Sequence, residues 1–193
     1  QIPVAVSEAP AQDGSVPFSA HAPREPVAVG GRLVYAYGPE WVEVAPSQLA
    51  TPDTYLEVEG RTAYGELSEF PFHVTSADWQ ESDRLLAAVM TVLGTSTQAV
   101  PIGGFGTFDG VMLDSLRRPR IEGTFDIERL RAFDVLWGHA EGEATIENRY
   151  ADVQNVRIRS DDATLDVDGR FSIGYPRADA GEQINARIQM PRW

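Results

Sequence analysis

The sequence predicts a mainly β fold: an elongated, curled antiparallel or mixed sheet with one short amphipathic helix, or, as the alternative, a closed β-sandwich of the same strands. Three observations predict it. Apolar residues alternate with polar ones along many short segments, which gives each strand one apolar and one polar face. One run of residues is written twice at a separation of about half the chain. A single segment changes to the helical period.

The elements follow in chain order. The first 26 residues mix Pro, Ala, Ser and Gly with the apolar bursts Ile2-Pro-Val-Ala-Val6 and Val16-Pro-Phe18, which read as short edge strands or a linker because proline cannot donate to a ladder. Cleaner alternation begins at Val27, through Leu33, Tyr35 and Tyr37, then Val42 and Val44, Leu56 and Val58, and Phe70, Phe72 and Val74. A helix is expected over about 77–93: Leu85, Leu86, Val89, Val92 and Leu93 share a face, Asp78, Glu81 and Asp83 suit its first turns, and Gly94 ends it. Two short strands follow, Gly106 to Leu113 and Pro119 to Phe125, while Asp126 to Trp137 fits either a helical turn or a strand. Alternation then returns through Ile146, Val156 and Ile158, Leu165 and Val167, Phe171 and Ile173, and Ile184 to Met190. Roughly a dozen strands of five to eight residues are expected.

The doubled phrase links Gly31-Arg-Leu-Val-Tyr35, Val42-Glu-Val44, Ser47 and Leu56-Glu-Val-Glu-Gly60-Arg61 to Gly142-Glu-Ala-Thr-Ile146, Val156-Arg-Ile158, Ser160 and Leu165-Asp-Val-Asp-Gly169-Arg170. The Gly-Arg pairs stand 169 − 60 = 109 apart and the Val pairs 156 − 42 = 114 apart, which implies a short indel between strands. The copies span about 27–75 and 139–190, within one continuous unit over 1–193. Stacking of similar units points away from a single enzyme pocket.

The composition narrows function further. A formal charge of −13 repels phosphate backbones and anionic membrane surfaces, so nucleic acid is not an expected partner. With no cysteine there is no thiolate nucleophile and no disulfide frame. No run approaches the ~20 apolar residues of a membrane-spanning helix, so any targeting signal or anchor is expected outside this stretch of chain.

Catalytic and metal patterns are equally sparse. There is no G-x-S-x-G, and His21, His73 and His139 sit singly in different segments, without ligand spacing. The acidic string from Asp161 to Gly169 fails as an EF-hand, whose twelfth position would fall on Tyr175; it reads as the wet face of a strand. Glycines 103, 104, 106 and 110 lack phosphate-loop spacing and read as a turn and bulge. The expectation is a non-enzymatic chain with no cofactor, no catalytic residues and no metal ligands.

A sheet with one apolar face hides it against a second sheet or curls into a trough. Twelve strands at ~4.8 Å spacing would give a trough of roughly 55 to 60 Å. Burying an acyl chain of ~14 to 16 carbons there is worth about 11 to 13 kcal/mol gross. The expected lining is Leu33, Tyr35, Val42, Val44, Leu56, Val58, Phe70, Phe72, Ile146, Val156, Ile158, Leu165, Val167, Phe171 and Ile173. A closed sandwich would instead be a carbohydrate- or protein-binding module, with Trp41, Trp79, Trp137 and Trp193 as possible platforms.

The succession Gly106-Thr-Phe-Asp-Gly110, Pro119-Arg-Ile-Glu-Gly123-Thr-Phe, Gly142-Glu-Ala-Thr-Ile146, Val156-Arg-Ile158, Leu165-Asp-Val-Asp-Gly169-Arg-Phe-Ser-Ile173 and Ile184-Asn-Ala-Arg-Ile188 resembles the TamB family, the translocation and assembly module component related to AsmA-like bridge proteins. The resemblance is clearest from Gly103 to Met190. It implies a β-taco groove in the periplasmic portion of an inner-membrane-anchored protein of the bacterial envelope. It further implies phospholipid acyl chains, or nascent outer-membrane proteins, as cargo in outer-membrane biogenesis, and a TamA-type outer-membrane β-barrel as partner.

Overall fold

A computed structural model describes residues 28–63, 68–92, 102–115, 118–132, 135–147, 150–160, 163–172 and 183–189. The bursts at Ile2-Pro-Val-Ala-Val6 and Val16-Pro-Phe18, as well as Ile173, Gly94 and Trp193, lie outside the described residues. The strands are β1 (Gly30–Tyr37), β2 (Trp41–Ala50), β3 (Thr54–Ala63), β4 (Ser68–Ser76), β5 (Ile102–Ser115), β6 (Arg118–Ala132), β7 (Val135–Glu147), β8 (Tyr150–Ser160), β9 (Ala163–Ser172) and β10 (Gln183–Gln189). One helix, α1 (Trp79–Val92), stands between β4 and β5.

All ten strands form one sheet in chain order, and every neighbouring pair is antiparallel. The mainly β architecture with one helix is as expected, and the sheet is a meander that does not close into a barrel. Parallel pairing, allowed for by the expectation of a mixed sheet, does not occur among these strands. Among the described residues there are ten strands of 7 to 15 residues, most of them longer than the five to eight expected. Nine inter-strand steps of ~4.8 Å give these described strands a span of about 43 Å.

The long strands explain the ambiguous stretch. β6 continues past Phe125 to Ala132 by absorbing an extra residue near Arg129, whose φ is 54°. Ladder shifts on both sides of it mark a β-bulge. The apolar spacing that imitated a helical turn belongs to this irregularity in a strand. β5 likewise begins at Ile102 and ends at Ser115, so the expected strand from Gly106 to Leu113 is extended at both ends and Gly106 and Gly110 lie inside it rather than in a turn; the register shift between Gly103 and Phe105 is the β6 irregularity seen from β5, with Gly104 opposing two residues of β6.

The internal repeat is written in the ladder. Arg32 pairs with Gln48 and Val34 with Ala45; Glu141 pairs with Arg157 and Glu143 with Gln154. Val44 pairs with Gly60 and Ser47 with Val58; Val153 pairs with Gly169 and Val156 with Val167. Each residue of β1, β2 and β3 in these pairs matches the one 109 positions later in β7, β8 and β9, the spacing of Gly60 and Gly169 (169 − 60 = 109). The counterpart of Val156-Arg-Ile158 is therefore Ser47-Gln-Leu49, not Val42-Glu-Val44, and no indel separates these three strands. A change of spacing enters only at the next strand. Leu56 faces Val74 whereas its counterpart Leu165 faces Ile188, a separation of 188 − 74 = 114.

Each copy carries one bulge at the same place, filled by Pro46 in β2 and by Asn155 in β8. Proline is tolerated at a bulge because no ladder donor is required there. Asn155 adopts φ 53° and its backbone N–H donates to Asp168 Oδ1 at 2.8 Å. Asparagine is among the residues that accept this left-handed conformation.

The helix is anchored through its first turn. Asp78 Oδ1 caps it by accepting from Gln80 N at 3.0 Å. Glu81 accepts from Asp53 N and Thr54 Oγ1, each at 3.2 Å, and also from Thr51 Oγ1. Ser82 Oγ shares 2.7 Å hydrogen bonds with Ser76 and Thr54. Beyond these anchors the helix packs on β5 and β3.

Candidate apolar groove

Side chains of directly paired residues project from the same face of a sheet, so the register assigns faces. Four rows cross the strands on one face. The first runs Thr54, Ser76, Gly106, Ile127, Ala140, Ile158, Leu165. The second runs Leu49, Leu56, Val74, Phe108, Phe125, Gly142. The third runs Ser47, Val58, Phe72, Gly110, Gly123, Ala144, Val153, Gly169. The fourth runs Phe70, Met112, Ile121, Ile146, Ala151, Phe171. No charged residue stands in any of them.

These rows bring together Leu56, Val58, Phe70, Phe72, Ile146, Ile158, Leu165 and Phe171 of the expected lining. Val156 and Val167 pair with each other beside the β8 bulge, while Val44 joins the face opposite Gly60 and Val42 opposite Thr62. Tyr35 pairs with Val44, and Leu33 falls within the β1–β2 register shift, so the ladder does not assign it a face. The expected lining omitted Val74, Phe108, Met112, Ile121, Phe125, Ile127 and Val153, which complete the middle of the face. The alternation around Gly106-Thr-Phe-Asp-Gly110 carried that signal, obscured by reading its glycines as a turn.

The buried apolar residues are Phe70 and Ile121 of the fourth row, Ile127 and Ala140 of the first, and Val156. Most of its other residues, including Leu56, Val58, Phe72, Phe108, Phe125, Ile158 and Val167, are only half-buried. Two packed sheets would bury their facing residues. The described strands instead form one sheet with a partly open apolar face, which removes the closed sandwich.

Glycine shapes the floor. The Phe72 and Phe108 rings stack at 5.7 Å and 6°. A Cβ built on Gly123 would come within 2.6 Å of Phe108 Cε1, and one on Gly110 within 2.5 Å of the same atom. The rings thus lie across glycines rather than standing up into the groove. Thr54 and Ser76, at one end of the first row, hold Ser82 of α1, so the helix covers the apolar face at that end.

The opposite face is a lattice of polar pairs. Arg170 Nε and Nη2 donate to Asp152 at 2.6 and 2.9 Å, and Arg157 Nε donates to Asp166 at 3.0 Å. In the first copy Gln48 Nε2 donates to Glu57 at 3.1 Å, at the positions equivalent to Arg157 and Asp166. Arg61 lies 5.8 Å from the Trp41 ring centroid and Arg170 5.4 Å from that of Tyr150, again at equivalent positions. The hydrogen bond to Glu57 raises the Tyr55 phenol above its ordinary value, and the bond to Asp152 raises Arg170. Of the tryptophans among the described residues, Trp41 is on β2, Trp79 on α1, and Trp137 on β7, where its Nε1 donates to Ala132 O at 3.0 Å.

Two histidines that looked isolated in sequence gain partners here. His73 Nδ1 lies 2.6 Å from Asp109 Oδ1, and His139 Nε2 lies 2.9 Å from Asp126 Oδ1. The partners belong to neighbouring strands, so linear spacing could not reveal them. No helix among the described residues is long and apolar enough to cross a membrane. No family model, curated protein or solved structure matches the chain.

Proposed function

We propose that this chain is a TamB-like segment of a bacterial envelope protein, whose apolar sheet face conducts or chaperones phospholipid acyl chains, or nascent outer-membrane proteins, between the inner and outer membranes. It acts without catalysis or cofactor, in the periplasm, as part of an inner-membrane-anchored protein that works with a TamA-type β-barrel. The supporting observation is the set of four uncharged rows on a face that its own side chains leave half-covered. Hydrocarbon is the complementary ligand for such a surface, since each methylene buried contributes about 0.8 kcal/mol and needs no polar partner.

The test is native mass spectrometry with lipid extraction on protein purified from bacterial envelopes. Wild type and Glu57→Ala are expected to carry phospholipid, and Val58→Asp and Val167→Asp to lose it while keeping their far-ultraviolet circular dichroism. A clean apo mass for wild type, or equal lipid loading of Val58→Asp and Glu57→Ala, would overturn the proposal.

A further inference from the structure

On the polar face, Asp126 of β6 pairs directly with Glu141 of β7, and His139 stands two residues before Glu141 on the same side. One ligand atom from each of Asp126, His139 and Glu141 can be chosen so that all three lie within 4.8 Å of one another. Glu128 Oε1 is a further 4.0 Å from His139 Nε2. Glu141 also accepts from Arg159 Nη2. We propose that this group binds a divalent transition-metal cation of the zinc class, held by His139 Nε2 and one oxygen each of Asp126 and Glu141.

The donor chemistry fits. Zinc takes imidazole nitrogen and carboxylate oxygen at about 2.0–2.2 Å, which sets tetrahedral ligand atoms about 3.4 Å apart. His139 and Asp126 are already closer than that, and Glu141 closes the remainder by rotating a half-buried side chain. Three carboxylates stand around one imidazole, and Arg159 engages one of them, Glu141; a dication supplies the positive charge that such a group of carboxylates favours. Glu141 has two oxygens, so one can ligate while the other keeps Arg159.

The position gives the cation a task. Directly beyond the Ile127–Ala140 pair the β6–β7 ladder loses register, and pairing resumes only at Leu130 with Gly138. A cation bridging Asp126 to His139 and Glu141 staples the two strands where their hydrogen bonding is interrupted. The repeat does not account for these ligands. Gly30 and Arg32 stand at the positions equivalent to His139 and Glu141 and cannot supply them.

Calorimetric titration of the whole chain with zinc chloride, paired with the visible spectrum of the cobalt(II) form, tests the site. Wild type and His73→Ala are expected to bind one equivalent. His139→Ala and Asp126→Asn are expected to weaken binding at least tenfold, and Arg159→Ala to retain it. Should His139→Ala fail to fold, His139→Gln replaces it. Absence of binding in wild type, or unchanged binding in the His139 variant, would overturn the proposal, the latter by marking the metal as an adventitious ion on surface carboxylates.

Discussion

Single residues set the depth of the apolar face. A side chain at Gly123 would meet Asp109 O at 2.3 Å and the Phe108 ring at 2.6 Å, so the ring would have to lift away from its stacked partner Phe72. Gly123→Val is expected to destabilise the protein by about 1–3 kcal/mol, the usual cost of overpacking, read as a lower urea midpoint at unchanged slope. Gly60 faces a backbone limit instead. Its φ of 146° and a Cβ position 2.3 Å from Glu69 O leave no room for alanine. Gly60→Ala is expected to cost more than about 1 kcal/mol, and a stability equal to wild type in the same titration would contradict the assigned backbone.

At the scale of elements, the hairpins β2–β3 and β8–β9 are equivalent parts. Residues 41–63 and 150–172 share bulge position and cross-strand register. Replacing the first segment with the second should therefore give a folded chain whose amide spectrum outside the exchanged strands is unchanged; widespread shifts would show that the registers are not interchangeable. Asn155→Val tests the bulge within one hairpin. Forcing a β-branched residue into φ near 53° is expected to cost about 1–3 kcal/mol, whereas Asn155→Gly should be nearly neutral. Much of this level was legible in sequence. Period-two alternation marked Leu56 and Val58, or Leu165 and Val167, and the acidic residues with terminal leucines and valines marked α1. The repeat was visible through Gly60-Arg61 and Gly169-Arg170, but its alignment slipped at β2, because Val42-Glu-Val44 resembles Val156-Arg-Ile158 more closely than its true counterpart Ser47-Gln-Leu49 does. An extra bulge residue resets which side chains share a face, and composition alone does not reveal where that reset occurs. Glycine shortened β5 for a related reason: the expected strand began at Gly106, whereas the ladder begins at Ile102, and glycines pass for turn residues until phenylalanine rings are found lying across such positions.

For the whole molecule, the decisive property is the separation of chemistry between two sides of one open sheet. Charged residues pair on one face, and the four rows on the other are uncharged across β3 to β9. The histidine and acid cluster on the outer face was hidden from linear reading because β6 and β7 meet only in the folded sheet, and the same is true of the continuous apolar surface. Adjacent residues report opposite sides, which permits a direct measurement. A photo-crosslinking amino acid placed at Phe125, and separately at Thr124, in the protein within living bacterial envelopes should give a phospholipid adduct at Phe125 and none at Thr124. Adducts of equal yield at both positions, or none at Phe125, would contradict an acyl-chain groove on this face.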